Sequence, residues 1–367
     1  MIKNYINMNM GEIELSMKKI GIATFHYVDN YGAVLQSYAL RKIINSFPGC
    51  CAEIVNYIPK NQIDKPCGYI EYDADMFRHK REKFWKFLYI KCGLQHEVLD
   101  EICGGEYDFY CIGSDQVWNP ISDNREYMLP NVKNGDCCIS YAPSLGVSLS
   151  KCRENMGFYG DYLKKFKAIS VREENCLNFV EEVSGKKCYQ VLDPTLLLKV
   201  EQYDEIIALN DLFEGEFVLF FWLEHDENLM RGVEFVNAIA RKYNLQIIHS
   251  IVGARPHLFH NDAGCMMYEG IEEFLWYVRN AKIVVTNSYH ATIFSLLFHT
   301  PFYIMVVEMM RGRIDTLNSM LGLEKRIIEN YLPIEKVALE MDFEELDRRV
   351  NSRRKASMDY LKRALEI

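Results

Sequence analysis

Short, dense apolar runs alternate along this chain with stretches whose apolar residues recur every three or four positions. An unbroken apolar run bounded by turn residues suits a strand buried on both faces, and the longer spacing suits a helix packed on one side. The runs at 19–25, 54–57, 107–113, 138–142 and 168–172 predict strands. Residues 33–44 carry helical spacing, and the charged, aromatic stretch 60–104 predicts further helix with a flexible entry. A helix is expected between the strands at 138–142 and 168–172, and residues 191–198 close the first half. The second half repeats the grammar: strand 217–223, helix 228–243, strand 246–250, helix 270–280, strand 283–286, helix 291–297 and strand 302–307. Strands alternating with helices imply an α/β fold with parallel sheets covered on both faces. The expected organisation is a loose leader at 1–18, one α/β domain at 19–205, a second at 206–341, and a basic helix at 342–367 that can pack back on the first.

Composition narrows the class. At 49% apolar and 25% charged residues, the chain is neither disordered nor collagen-like nor a small disulfide scaffold. Its net charge of −9 lacks the broad basic footprint of a nucleic-acid binder, so no nucleic-acid partner is expected. Twelve cysteines include no CxxC pair; the closest are the doublets Cys50-Cys51 and Cys137-Cys138. That spacing does not support a zinc site, and the cysteines read as free thiols in a reducing cytosol. The N-terminus has no apolar core or small-residue cleavage site of a signal peptide. The densest apolar run, 217–223, is too short to cross a bilayer, so a cytoplasmic, soluble or peripheral protein is expected. In the last helix, Arg348, Arg349, Arg353, Arg354, Lys355, Lys362 and Arg363 form either a solvated face or a contact with an anionic membrane surface or lipid diphosphate.

Candidate chemistry sits where strands end. At 286–292 a buried strand runs into polar Asn287 and Ser288 and then a helix. A helix N-terminus offers unpaired N–H groups and a positive dipole end, so it can hold an anion. Ser288 suits the cap, and His290 in the first turn could donate to a phosphate oxygen; the alternative is an ordinary cap with a surface histidine. Ser114, Asp115 and Gln116 follow another buried strand, where ligands sit in open α/β sheets. Asp115 is a candidate general base on a sugar hydroxyl, or simply a turn aspartate. Arg172 leaves an apolar strand, which implies either a salt bridge with Glu173 or Asp193 or an anion site. Arg311 and Arg313 flank Gly312 and could close over a phosphate, or form a surface loop. In the first loop, Gly32 permits close backbone approach to a ligand. No dinucleotide, Walker, nucleophile-elbow or HExxH motif is present, and no metal-ligand cluster is visible.

Six stretches at 30–40, 113–119, 139–142, 169–173, 193–197 and 286–295 together resemble the polysaccharide pyruvyl transferase family. The resemblance runs in order from about residue 19 to 330. Two places depart from the family pattern: Asn287 stands where many relatives carry Asp, and Pro143 where Ala is commoner. The resemblance implies a GT-B-like fold, two Rossmann-like domains facing a cleft. It implies transfer of pyruvate from phosphoenolpyruvate to two hydroxyls of a sugar, forming a cyclic ketal, with no cofactor or metal beyond that co-substrate. On that basis Asn287, Ser288 and the helix behind them take the phosphate, and His290 binds it or donates the proton. Arg172, Arg311 and Arg313 hold the donor's anionic groups. Asp115 serves the acceptor hydroxyl, and Asn30, Tyr31, Gly32, Gln36, Ser114 and Gln116 shape the acceptor side. The implied acceptor is galactose or another hexose, in a polymer or on a polyprenyl-diphosphate-linked oligosaccharide, in capsule or exopolysaccharide synthesis at the inner face of the plasma membrane. Two other readings stay open: a glycosyltransferase using a nucleotide sugar, and a non-catalytic polysaccharide-binding homologue.

Overall fold

The computed structural model describes residues 17–63, 74–122, 125–223, 228–251, 258–259, 264–266, 268–330 and 332–367. The expected leader lies outside the described residues up to residue 16, and Lys18 already opens the first strand. In the first half β1 (Lys18–Ala23) pairs in parallel with β2 (Cys50–Ile54) and β3 (Phe109–Ile112), and β4 (Cys138–Ser140) extends the sheet beside β3. The order is β2-β1-β3-β4, and a bridge from Ile139 to Ala168 links it to the parallel pair β5 (Ile169–Val171) and β6 (Cys188–Gln190). In the second half β7 (Phe217–Phe221), β8 (Gln246–His249), β9 (Gly264–Cys265), β10 (Ile283–Thr286), β11 (Phe302–Met305) and β12 (Ile327–Ile328) form one parallel sheet. Its order is β12-β11-β10-β7-β8-β9, which is that of a doubly wound dinucleotide-binding fold.

Strands β3, β7, β10 and β11 are buried at every position, which is why each reads as an unbroken apolar run. The second strand lies at Cys50–Ile54 rather than at the expected 54–57. It is the edge of its sheet and alternates between buried and half-buried positions, so an apolar run was the wrong signal there. Among the helices around the sheets are α1 (Tyr31–Asn45), α2 (Ala74–Ile90), α3 (Leu229–Tyr243), α4 (Ile271–Asn280), α5 (Tyr289–Leu297), α6 (Arg311–Leu321) and α7 (Phe343–Leu365), and the helix expected between 142 and 168 is present as Leu149–Glu154 and Met156–Lys165. Within the expected helical stretch 60–104, the described helices are a short turn at Lys60–Ile63 and α2.

The two halves are locked together by side chains. Tyr31 of α1 stacks on Phe274 of α4 with ring centres 4.5 Å apart, and its hydroxyl donates to the Glu269 carbonyl at 2.8 Å. The last helix returns to the first half, where the Tyr360 hydroxyl donates to the Ser140 carbonyl and Ser357 Oγ accepts from the Leu192 N–H. Its other end meets the second half through His299 and Asp347 at 2.9 Å. Many of its cations are engaged within the protein. Arg348 and Arg349 pair with Glu345, Lys355 pairs with Asp359, and Arg354 donates to the Leu196 and Leu198 carbonyls. Among the described residues every cysteine is free, and no helix is long and apolar enough to cross a membrane.

Candidate active site

Strand order decides where a ligand can enter. In each sheet the chain winds outward in both directions from two central neighbours, β1 and β3 in one and β7 and β10 in the other. Loops leaving the carboxyl ends of such a pair diverge and leave a crevice. The two crevices open onto one cleft of about 630 Å³, a size suited to a small-molecule site. Its first wall carries Phe25, Val28 and Asn30 after β1, and Asp115, Gln116, Asn119 and Ser122 after β3. Its second wall carries Leu223 and Asn228 after β7, Asn287 to His290 after β10, and Val307, Glu308, Met310 and Arg313 after β11.

The turn after β10 is held by its own polar groups. Thr286 Oγ1 donates to the Phe221 carbonyl of β7 and accepts from the Ser288 N–H at 2.9 Å. The Asn287 side chain accepts from the Leu223 N–H at 2.8 Å and donates to the Leu223 carbonyl at 2.9 Å. An aspartate could not make the second bond, so asparagine at this position ties the two central strands together as an amide. Ser288 caps α5 by accepting from the Ala291 N–H. The Tyr289 and His290 N–H groups, at the first two helical positions, have no intrahelical partner, and both residues line the cleft.

Opposite, Asp115 adopts a left-handed backbone conformation with φ 72°, which a short polar side chain tolerates. Its Oδ1 accepts from the Gln116 N–H at 2.8 Å, and its carbonyl accepts from the Ser144 N–H.

Behind the cleft lies a buried charged network. Asp193 Oδ1 accepts from the Thr195 N–H and hydroxyl. Its Oδ2 accepts from Ser114 Oγ at 3.0 Å and from Arg172 Nη1 at 2.9 Å, and His290 Nε2 stands 3.5 Å away. Arg172 Nε donates to Glu173 at 2.9 Å, and its guanidinium lies 4.5 Å from the Tyr289 ring centre. Burial by itself would push the Asp193 carboxyl up; the neighbouring His290 and Arg172, with the hydrogen bonds from Thr195, hold it well below the usual carboxylate range. Burial and the like charge of Arg172 lower Arg313, against the pull of Glu173, Asp115 and Tyr289. An arginine so shifted is still a cation at neutral pH.

Seven residues expected from the sequence line this cleft: Asn30, Asp115, Gln116, Asn287, Ser288, His290 and Arg313. Six others do not, and in four of them, Tyr31, Gln36, Ser114 and Arg172, the polar groups are spent inside the protein. Tyr31 joins the two halves as described. Gln36 is fully buried and donates to Thr24 Oγ1 and the Ala33 carbonyl, which holds the loop between β1 and α1. Ser114 and Arg172 belong to the Asp193 network, so Arg172 forms both of the ion pairs that its sequence allowed. Arg311 turns outward and grips Glu329 through both Nη atoms at 3.0 Å. Gly32 packs against His290: a Cβ there would fall 1.9 Å from its Nδ1. The glycine therefore makes room for the imidazole rather than for a sugar. Gly32→Ala is expected to displace the ring and to cost about 1–3 kcal/mol of stability, measured by denaturant titration.

Sequence reasoning does not assign site roles to Asn119, Ser122, Asn228 or Tyr289; Asn119 and Tyr289 stand within the stretches 113–119 and 286–295, and the signal for Ser122 and Asn228 is a place beyond a buried strand. The sequence offers Asp193 as a partner for Arg172 and as the first residue of the stretch 193–197, but not as a site residue. A lone charge in the apolar stretch 191–198 carries its own message, since an unpaired buried carboxylate is costly.

A family model for polysaccharide pyruvyl transferase matches residues 30–308. No curated protein matches the chain by sequence. Among solved structures the chain is similar to a candidate UDP-N-acetylglucosamine 2-epimerase from Listeria monocytogenes, with 11% identity over 94% of this chain and 90% of that one, at a TM-score of 0.52. It is also similar to a UDP-N-acetylglucosamine 2-epimerase from Rickettsia bellii, with 10% identity over 95% of this chain and 96% of that one, at a TM-score of 0.51. At that identity the likeness shows the fold alone, which is GT-B-like: two Rossmann-like units with parallel sheets facing a cleft.

Proposed function

This chain belongs to the polysaccharide pyruvyl transferase family, and on that premise we propose that it moves pyruvate from phosphoenolpyruvate onto two hydroxyls of a sugar. The observation that supports this most is the division of the cleft. One wall gathers a helix N-terminus, His290 and Arg313; the other gathers Asp115 and the amides of Gln116 and Asn119. The first suits a small phosphorylated anion, the second a polyol.

In this reading the donor phosphate meets Ser288 and the first turn of α5, with Arg313 balancing the donor's charge. His290 gives a proton to the methylene carbon of phosphoenolpyruvate, which leaves an oxocarbenium centre at carbon 2. The first sugar hydroxyl attacks that carbon while Asp115 takes its proton. The second hydroxyl then displaces the phosphate, which leaves as hydrogen phosphate with the second proton. The proton on Asp115 returns to His290 through solvent, so each turnover yields one ketal and one hydrogen phosphate. No cofactor enters. The acceptor in this reading is galactose or another hexose of a capsule or exopolysaccharide repeat unit, carried on a polyprenyl diphosphate at the cytoplasmic face of the membrane.

The test is phosphate release from phosphoenolpyruvate with a panel of galactosides, glucosides and N-acetylmannosaminides, followed by mass spectrometry. Acceptor-dependent phosphate and a product carrying one ketal-linked pyruvate are expected. Binding of nucleoside diphosphates without binding of phosphoenolpyruvate, read by calorimetry, would instead assign the cleft to a nucleotide sugar.

A further inference from the structure

His290 sits in the cleft wall with its two ring nitrogens in different surroundings. Nε2 is buried and has no completed hydrogen bond, and the nearest polar group described for it is Asp193 Oδ2 at 3.5 Å. Nδ1 lies beside the bare Cα of Gly32. The ring meets Tyr289 edge-on, with centres 5.2 Å apart. The charged groups of this neighbourhood include Asp193, Arg172, Glu173, Asp115, Arg313 and, on the same cleft wall, Glu308; among the described residues Asp193 is the one that comes within 3.5 Å of the imidazole.

We infer that Asp193 is a positioning residue that keeps a proton on His290 Nε2, so that Nδ1 is the nitrogen that exchanges protons with the ligand. This rests on reading His290 as the acid on the donor side. A carboxylate only accepts hydrogen bonds, so the nitrogen facing it must carry hydrogen in both the neutral and the charged ring. Asp193 is itself fixed by Thr195, Ser114 and Arg172, so the ring is oriented by a rigid acceptor rather than a mobile one. After Nδ1 gives up its proton the ring remains neutral with hydrogen on Nε2, and the same nitrogen is ready to be recharged. Gly32 completes the arrangement, since any side chain there would occupy the edge of the ring that carries Nδ1. Asp193 precedes the link between the sheets and His290 follows it, so the pair forms only when the two halves are docked.

The test is side-chain nitrogen NMR of the full chain labelled with ¹⁵N-histidine, taken through the titration without substrate. The neutral form of His290, assigned by loss of its signal in His290→Gln, is expected to carry its proton on Nε2. A neutral form protonated on Nδ1 would overturn the inference. This readout needs no turnover. A chain with the expected tautomer and no activity on phosphoenolpyruvate would overturn the pyruvyl reading alone. Asp193→Asn gives a second measure once its melting temperature shows that it folds. A fall of about 10–100-fold in kcat with little change in KM is expected, as for other residues that orient a catalytic histidine. A change in KM alone, with kcat kept, would count against a positioning role.

Discussion

Replacing His290 by glutamine is expected to lower acceptor-dependent phosphate release by about 10²-fold or more, while phosphoenolpyruvate still binds. Glutamine keeps a polar side chain of similar reach but cannot deliver a proton to carbon. The histidine is only 12% exposed and is bounded by Gly32, Asp193 and Tyr289, so its proton is delivered in one direction from a fixed place. Steady-state kinetics and calorimetry with phosphoenolpyruvate separate the two effects. The loss should fall on kcat, because the binding groups on Ser288, Arg313 and the start of α5 remain. Near-normal turnover would remove His290 as the proton donor and leave the pyruvyl reading without an acid.

Arg172→Met is expected to destabilise the fold by about 3–5 kcal/mol, read by denaturant or thermal unfolding. The arginine is 1% exposed and bonds both Glu173 and Asp193, which are themselves buried. Methionine fills much of the volume but leaves two carboxylates without their cation, and that uncompensated charge is the source of the cost. The pH dependence carries a second signature. Asp193 has a depressed folded-state pKa, so its contribution to stability is present above the unfolded value of about 3.9 and is lost as pH falls below it. Without Arg172 the depression shrinks, and the loss of stability on the acid side should become shallower than in the parent chain. An unchanged melting temperature would mean that the network is not braced by its arginine.

The parts of the fold legible in the sequence are those that depend on neighbours along the chain. Strand β10 at Ile283–Thr286, helix α3 and the cap at Ser288 stand where periodicity and turn chemistry put them, because burial on both faces and end-capping are local demands. Edge strand β2 was misplaced because its half-buried alternation leaves no apolar run to read. The family pattern was legible for the same reason, as short segments at strand ends. Which of those segments share a cleft was not. Only strand order brings the loops after β1, β3, β7, β10 and β11 to one place, and only packing turned Tyr31, Gln36, Ser114 and Arg172 inward and Arg311 outward. Asp193 and His290 belong to different halves of the chain, and no spacing links them. Their meeting is a consequence of docking: a buried carboxylate recruits whatever donors the opposing surface provides, and that surface exists only in the folded protein.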